Sequence, residues 1–167
     1  MARKLHFEVI PLSEIPSISG DTDRRTVLVV DDEPLVADTL AMILSQAGFE
    51  ARSAYNAKAA LHAARERSPG FLLTDVQMPV MDGIELAMQV AEEFPGCGIL
   101  LFSGHATRAD LESARRAGYE FPLMEKPIHP AHLVRYITNS FEGTRNSIDG
   151  MEFVDASLWE TIPSRVS

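Results

Sequence analysis

Asp31 and Asp32, Asp75, Ser103 and Lys126 each stand at or just past the end of a short apolar run. In an open parallel sheet the loops that follow the strands share one edge, so residues far apart in sequence meet there. Three acids, one hydroxyl and one amine then converge. Three carboxylates at close range repel one another and resist ionisation unless a cation intervenes. Magnesium suits such a set, because it takes hard oxygen ligands, one or two carboxylates among them, and keeps waters and phosphate oxygens as the rest. A lysine and a hydroxyl facing the same point are partners for the remaining phosphate oxygens. The constellation reads as a site for phosphoryl chemistry in which an aspartate is the acceptor.

The elements that must position these groups can be read between Thr26 and Phe141. Short apolar runs, "TVLVV" (26–30), "EARSA" (50–54), "FLLT" (71–74), "GILLF" (98–102) and "FPLM" (121–124), alternate with helical stretches. That alternation marks a parallel sheet covered by helices. "EARSA" is a poor strand by composition and is placed by its position between two helices. Leu35, Leu40, Ile43 and Leu44 recur at helical spacing before Ala47-Gly48. Asn56 suits the cap of a second helix and Asp82 opens a third. A fourth starts near Thr107, and Pro130 fits the first turn of a fifth.

Composition limits the function classes. A formal charge of −9 argues against a nucleic-acid surface, which needs clustered Lys and Arg. No apolar run approaches the roughly 20 residues that span a bilayer, so no membrane role is expected. One cysteine, Cys97, cannot form an internal disulfide, and the N-terminus has no signal-peptide pattern, which points to the cytoplasm. Residues 1–25 form an N-terminal extension rich in Pro and Ser, 26–142 a single domain, and 143–167 a tail too short for an effector domain.

The segments "VLVVDDEP", "LLTDVQMPVMDGIEL", "LFSGHA" and "EKP" resemble, in order and spacing, the motifs of the receiver domain of bacterial two-component response regulators. The resemblance covers about residues 26–141 and implies a doubly wound α/β fold of the flavodoxin-like (βα)5 kind, with strand order 2-1-3-4-5. It implies Asp75 as phosphoacceptor, Asp32 as direct magnesium ligand with Asp31 as its outer partner, and the backbone carbonyl of Gln77 as a further ligand. Ser103 and Lys126 would contact the phosphoryl group, and the Lys126-Pro127 bond would be cis. Gln77 and His105 would flank the path of the hydrolytic water. The implied partners are a sensor histidine kinase or phosphotransfer protein and an unidentified downstream protein, with signalling by a stand-alone receiver; pairing of two phosphorylated copies is compatible with this.

One position departs from the family pattern. Receivers commonly carry Phe or Tyr three residues before this lysine, where Leu123 stands, so either Leu123 or a bulged Phe121 fills the switch position. Two other function classes compete. A haloacid-dehalogenase-type phosphatase also uses an aspartyl nucleophile and magnesium, but wants D-x-D where this chain has Asp31-Asp32-Glu33. A phosphorylation-independent interaction module is the other. His129 and His132, three apart, read as helix-start residues and not a metal site. Phe153, Leu158 and Trp159 predict a C-terminal segment that folds back on the domain, since disordered tails are usually poor in aromatics.

Overall fold

In the computed structural model, residues 25–105 and 108–142 are described, and the predicted tail contacts of Phe153, Leu158 and Trp159 lie outside them. Ten elements alternate: β1 (Thr26–Val30), α1 (Pro34–Gln46), β2 (Glu50–Ala54), α2 (Ala57–Glu66), β3 (Phe71–Asp75), α3 (Gly83–Glu93), β4 (Gly98–Ser103), α4 (Arg108–Arg116), β5 (Leu123–Glu125) and α5 (Pro130–Phe141). The strands form one parallel sheet in the order β2-β1-β3-β4-β5. Among the described residues, no helix is long and apolar enough to cross a membrane.

Both faces of the sheet are covered, which is why β1 and β3 read as continuous apolar runs. Successive side chains serve opposite layers. Val27 and Val29 join Leu40 and Leu44 of α1 and Leu133 and Ile137 of α5 on one face. Leu28 and Val30 join Leu61 of α2 and Ile84, Leu86 and Val90 of α3 on the other. Each such side chain, fully buried, contributes about 1.5–3 kcal/mol relative to exposure. β2 is an edge strand with only Ala54 buried, so its polar composition is that of a half-wet edge.

Helix starts follow local chemistry. The Asn56 side chain accepts from the Ala59 N–H at 2.8 Å, and that of Asp82 accepts from Ile84 and Glu85 at 2.9 and 2.8 Å. Each satisfies amides that the first turn would leave without partners. Gly48 ends the turn after α1 at φ +96°, a conformation that costs glycine little. β5 lies later than the sequence suggests, at 123–125 and not 121–124. Leu123 pairs with Leu101 in the sheet, while the Phe121 ring stacks on Tyr119 at 5.5 Å in the preceding loop. Leu123 therefore occupies the strand position, and Phe121 does not reach it by a bulge.

Candidate functional site

β1, β3, β4 and β5 end side by side, and their last residues or the residues just after them carry the charged groups. Asp75 closes β3 and Ser103 closes β4. Asp31 and Asp32 follow β1 and Lys126 follows β5. The Lys126 N–H donates to the Ser103 carbonyl at 2.9 Å, tying the last two strand ends together. All five side chains thus lie at the edge that the sequence assigned to them.

Asp75 is not exposed, as a strand-end acid might be taken to be: it is 5% accessible, Asp31 0% and Ser103 1%. Only Asp32 of the three acids faces solvent. Lys126 Nζ stands 3.0 Å from Asp31 Oδ2 and 3.1 Å from Asp75 Oδ1, a single ammonium bridging two buried carboxylates. The other oxygen of Asp31, Oδ1, accepts from the Glu33 N–H at 2.9 Å, so its carboxylate is fixed at both ends. Lys126 Nζ also lies 4.7 Å from the centroid of the buried Phe102 ring, which adds a cation–π attraction.

Burial pushes the Asp75 carboxyl above the ordinary carboxylate range; Lys126 opposes the shift and the charges of Asp31 and Asp32 reinforce it. For Lys126, burial disfavours the charge, yet the hydrogen bonds and charges of Asp31 and Asp75 outweigh it and raise its titration above the usual lysine range. One oxygen each from Asp31, Asp32 and Asp75 lie within 4.8 Å of one another, the one group of three metal-ligating side chains among the described residues. The chemistry fits a hard divalent cation, because all three donors are carboxylate oxygens. A cavity of about 470 Å³ opens beside Asp32 and is lined also by Gln77, Pro79 and Asp82.

Gln77 and His105 also meet: Gln77 Nε2 donates to the His105 carbonyl at 3.5 Å, while the His105 N–H donates to Ser103 Oγ at 3.1 Å. The Lys126-Pro127 bond is cis. His129 and His132 have ring centroids 4.9 Å apart at the start of α5, and among the described residues no third metal-ligating side chain joins them. Gly83, which the sequence places in the loop beside Asp75, has a tighter role than loop shaping. A Cβ there would lie 1.8 Å from the Asp75 carbonyl oxygen, so α3 can begin against the end of β3 only if residue 83 is glycine.

The sequence model of the family described as "Response regulator receiver domain" matches residues 27–138. The chain belongs to that family. A response regulator receiver protein of Anaeromyxobacter sp. (strain Fw109-5) is 38% identical over 104 residues, covering 62% of this chain and 43% of that protein. An uncharacterized 14.6 kDa protein of Leptolyngbya boryana is 35% identical over 113 residues, covering 66% of this chain and 86% of its relative. This receiver therefore spans less than half of the first relative and most of the second. Among solved structures, a CheY-like response regulator receiver domain protein from Methanospirillum hungatei JF-1 superposes with a TM-score of 0.66 at 25% identity, over 72% of this chain and 95% of that one. The receiver sheet order β2-β1-β3-β4-β5 is thus both seen here and shared.

Proposed function

We propose that residues 26–142 act as a phosphoacceptor receiver in which Asp75 takes a phosphoryl group from a phosphohistidine on a sensor kinase or phosphotransfer protein. The observation that carries this reading is the bridging of Asp31 and Asp75 by Lys126 at 3.0 and 3.1 Å, beside the buried Ser103 hydroxyl. A carboxylate oxygen of Asp75 attacks phosphorus, the P–N bond to the donor imidazole breaks, and its electron pair stays on the imidazole nitrogen. Lys126 then pairs with a phosphoryl oxygen in place of the carboxylate, and Ser103 donates its hydroxyl hydrogen to another. Both groups are already held at the strand ends, so little reorganisation is needed as charge moves outward.

Asp32, Asp75 and the Gln77 carbonyl would hold magnesium, with Asp31 acting through a bound water. Its chemistry would be to neutralise charge on the transferring phosphoryl oxygens. Gln77 and His105 stand over the approach to Asp75 and tune hydrolysis of the acyl phosphate. Output runs through the receiver's own surface to a downstream protein, by movement of the Ser103–His105 segment and Leu123 and not by rotation of a ring. The flanks 1–25 and 143–167 are extensions to this domain.

Incubation with acetyl phosphate and magnesium, followed by intact mass, tests the reading. One added phosphate is expected, none without magnesium and none in Asp75→Asn. Undiminished labelling of Asp75→Asn would remove Asp75 as acceptor. Multiple-turnover hydrolysis of an added phosphomonoester would replace the receiver reading with a phosphatase.

A further inference from the structure

A second concavity, of about 1070 Å³, runs between the N-terminal half of α2 and the loop from β3 to α3. Ala57 and Leu61 form its floor; Tyr55, Pro79, Val80 and Met81 form its walls. Tyr55 and Val80 are two of the four large apolar residues exposed on the described surface, at 43% and 109%. Val80 is also the one non-glycine residue there with positive φ, +73°. A β-branched side chain in that region costs about 1–2 kcal/mol, and asparagine or glycine would adopt it with less strain. This strained valine packs against nothing described in the chain.

The groove is apolar within, and its rim carries Lys58, His62 and Arg65 of α2 together with Asp32 and Glu66. Arg65 is held by Glu93 at 2.6 Å and His62 faces Glu66 at 3.6 Å, whereas no carboxylate among the described residues pairs with Lys58. An occupant that fits is apolar and brings a carboxylate to Lys58. Residues 149–160, "DGMEFVDASLWE", have that composition: Met151, Phe153, Val154, Leu158 and Trp159 with Asp149, Glu152, Asp155 and Glu160, and no Lys or Arg. The 17 residues from Glu142 to Trp159 extend up to roughly 56–61 Å at about 3.3–3.6 Å each, and the 11 to Phe153 up to roughly 36–40 Å. A domain of this size has a radius of gyration of about 13 Å, hence an equivalent-sphere radius of about 17 Å and a half-circumference of roughly 54 Å, a path long enough for Trp159 wherever the groove lies and too long for Phe153.

We propose that the end of the C-terminal segment of the same chain, Leu158 to Glu160, docks in the groove between α2 and the β3–α3 loop, with Trp159 and Leu158 against Val80, Tyr55 and Leu61 and Glu160 toward Lys58. The proposal stands without the phosphoacceptor reading, because neither groove nor segment depends on Asp75. Docking there covers one side of Asp32, which also lines the groove.

Trp159 is the single tryptophan of the chain and reports the contact directly. Emission spectra and acrylamide quenching are measured on the full chain, with far-UV circular dichroism to verify folding. The wild type is expected to show a blue-shifted, protected indole. Val80→Asp should move emission to that of water-exposed indole and raise quenching to the level of the denatured chain, with Val80→Asn and Lys58→Glu shifting it part of the way. Met42→Asp, on exposed α1, should change nothing. A water-exposed indole in the wild type overturns the proposal, as does a protected indole indifferent to both Val80 variants. Protection lost on dilution, together with a dimer in sedimentation, overturns it in favour of the segment of a second copy.

Discussion

The two edges of the sheet use opposite chemistries. At the edge where the strands begin, Phe71 meets Tyr136 edge-on at 6.3 Å and Phe141 at 6.2 Å, and Phe49 stacks on Phe141 at 5.8 Å. Where the strands end, Asp31, Asp75 and Ser103 are equally buried but polar. The aromatic edge gains from every contact removed from water. The acidic edge holds two buried carboxylates that only a bridging ammonium makes tolerable. Stability concentrates at one edge, and buried charge is held at the other at a cost to stability.

Removing a carboxylate at the acidic edge should therefore act with opposite sign to removing a ring at the aromatic edge. Phe71→Ala should have the largest effect, a loss of about 3–5 kcal/mol in chemical denaturation, since the ring is 1% exposed and its cavity cannot fill easily. Phosphorylation of the remaining folded fraction should be unchanged. Lys126→Ala at the acidic edge should lose about 1–3 kcal/mol, because two buried carboxylates then face each other unneutralised. Added magnesium should recover part of that loss in a thermal melt; indifference to magnesium would separate the cation from these acids.

Asp75→Asn should raise stability by about 1–2 kcal/mol at neutral pH, in contrast to every loss at the aromatic edge. The pH dependence follows from the raised Asp75 titration. A group that titrates higher when folded adds stability below its ordinary value, 3.8, and that contribution is lost as pH rises through the folded value. The advantage of the asparagine variant should thus be full above the folded value and vanish toward pH 3.8 and below, as melts across that range will show. Asn56→Ala, away from both edges, should cost about 1 kcal/mol through the lost cap at Ala59 and leave phosphorylation intact.

Much of this was readable beforehand because parallel strands bring their ends together whatever the sequence distance. Asp31 and Lys126 are 95 residues apart and hydrogen-bonded. "EARSA" was correctly a strand by position, although its composition belongs to an edge. β5 was misplaced because a three-residue strand carries little periodicity, and Phe121 looked like strand sequence while its ring stacks on Tyr119. The burial of Asp75 was not legible, since it depends on Lys126 folding over the carboxylate. Nor was the conformation of Val80, a residue type that gives no sign of positive φ.

The lysine that spans Asp31 and Asp75 is, in effect, a built-in counterion seated where a soluble one would go. Three carboxylates against one ammonium leave a local deficit that a single divalent ion would fill. As pH falls through the raised titration of Asp75, such an ion would compete with a proton. Calorimetric titration with magnesium in buffers of differing ionisation enthalpy would then give heats that depend more on the buffer as pH falls. The domain would sense its ionic surroundings through that competition before any phosphodonor arrived.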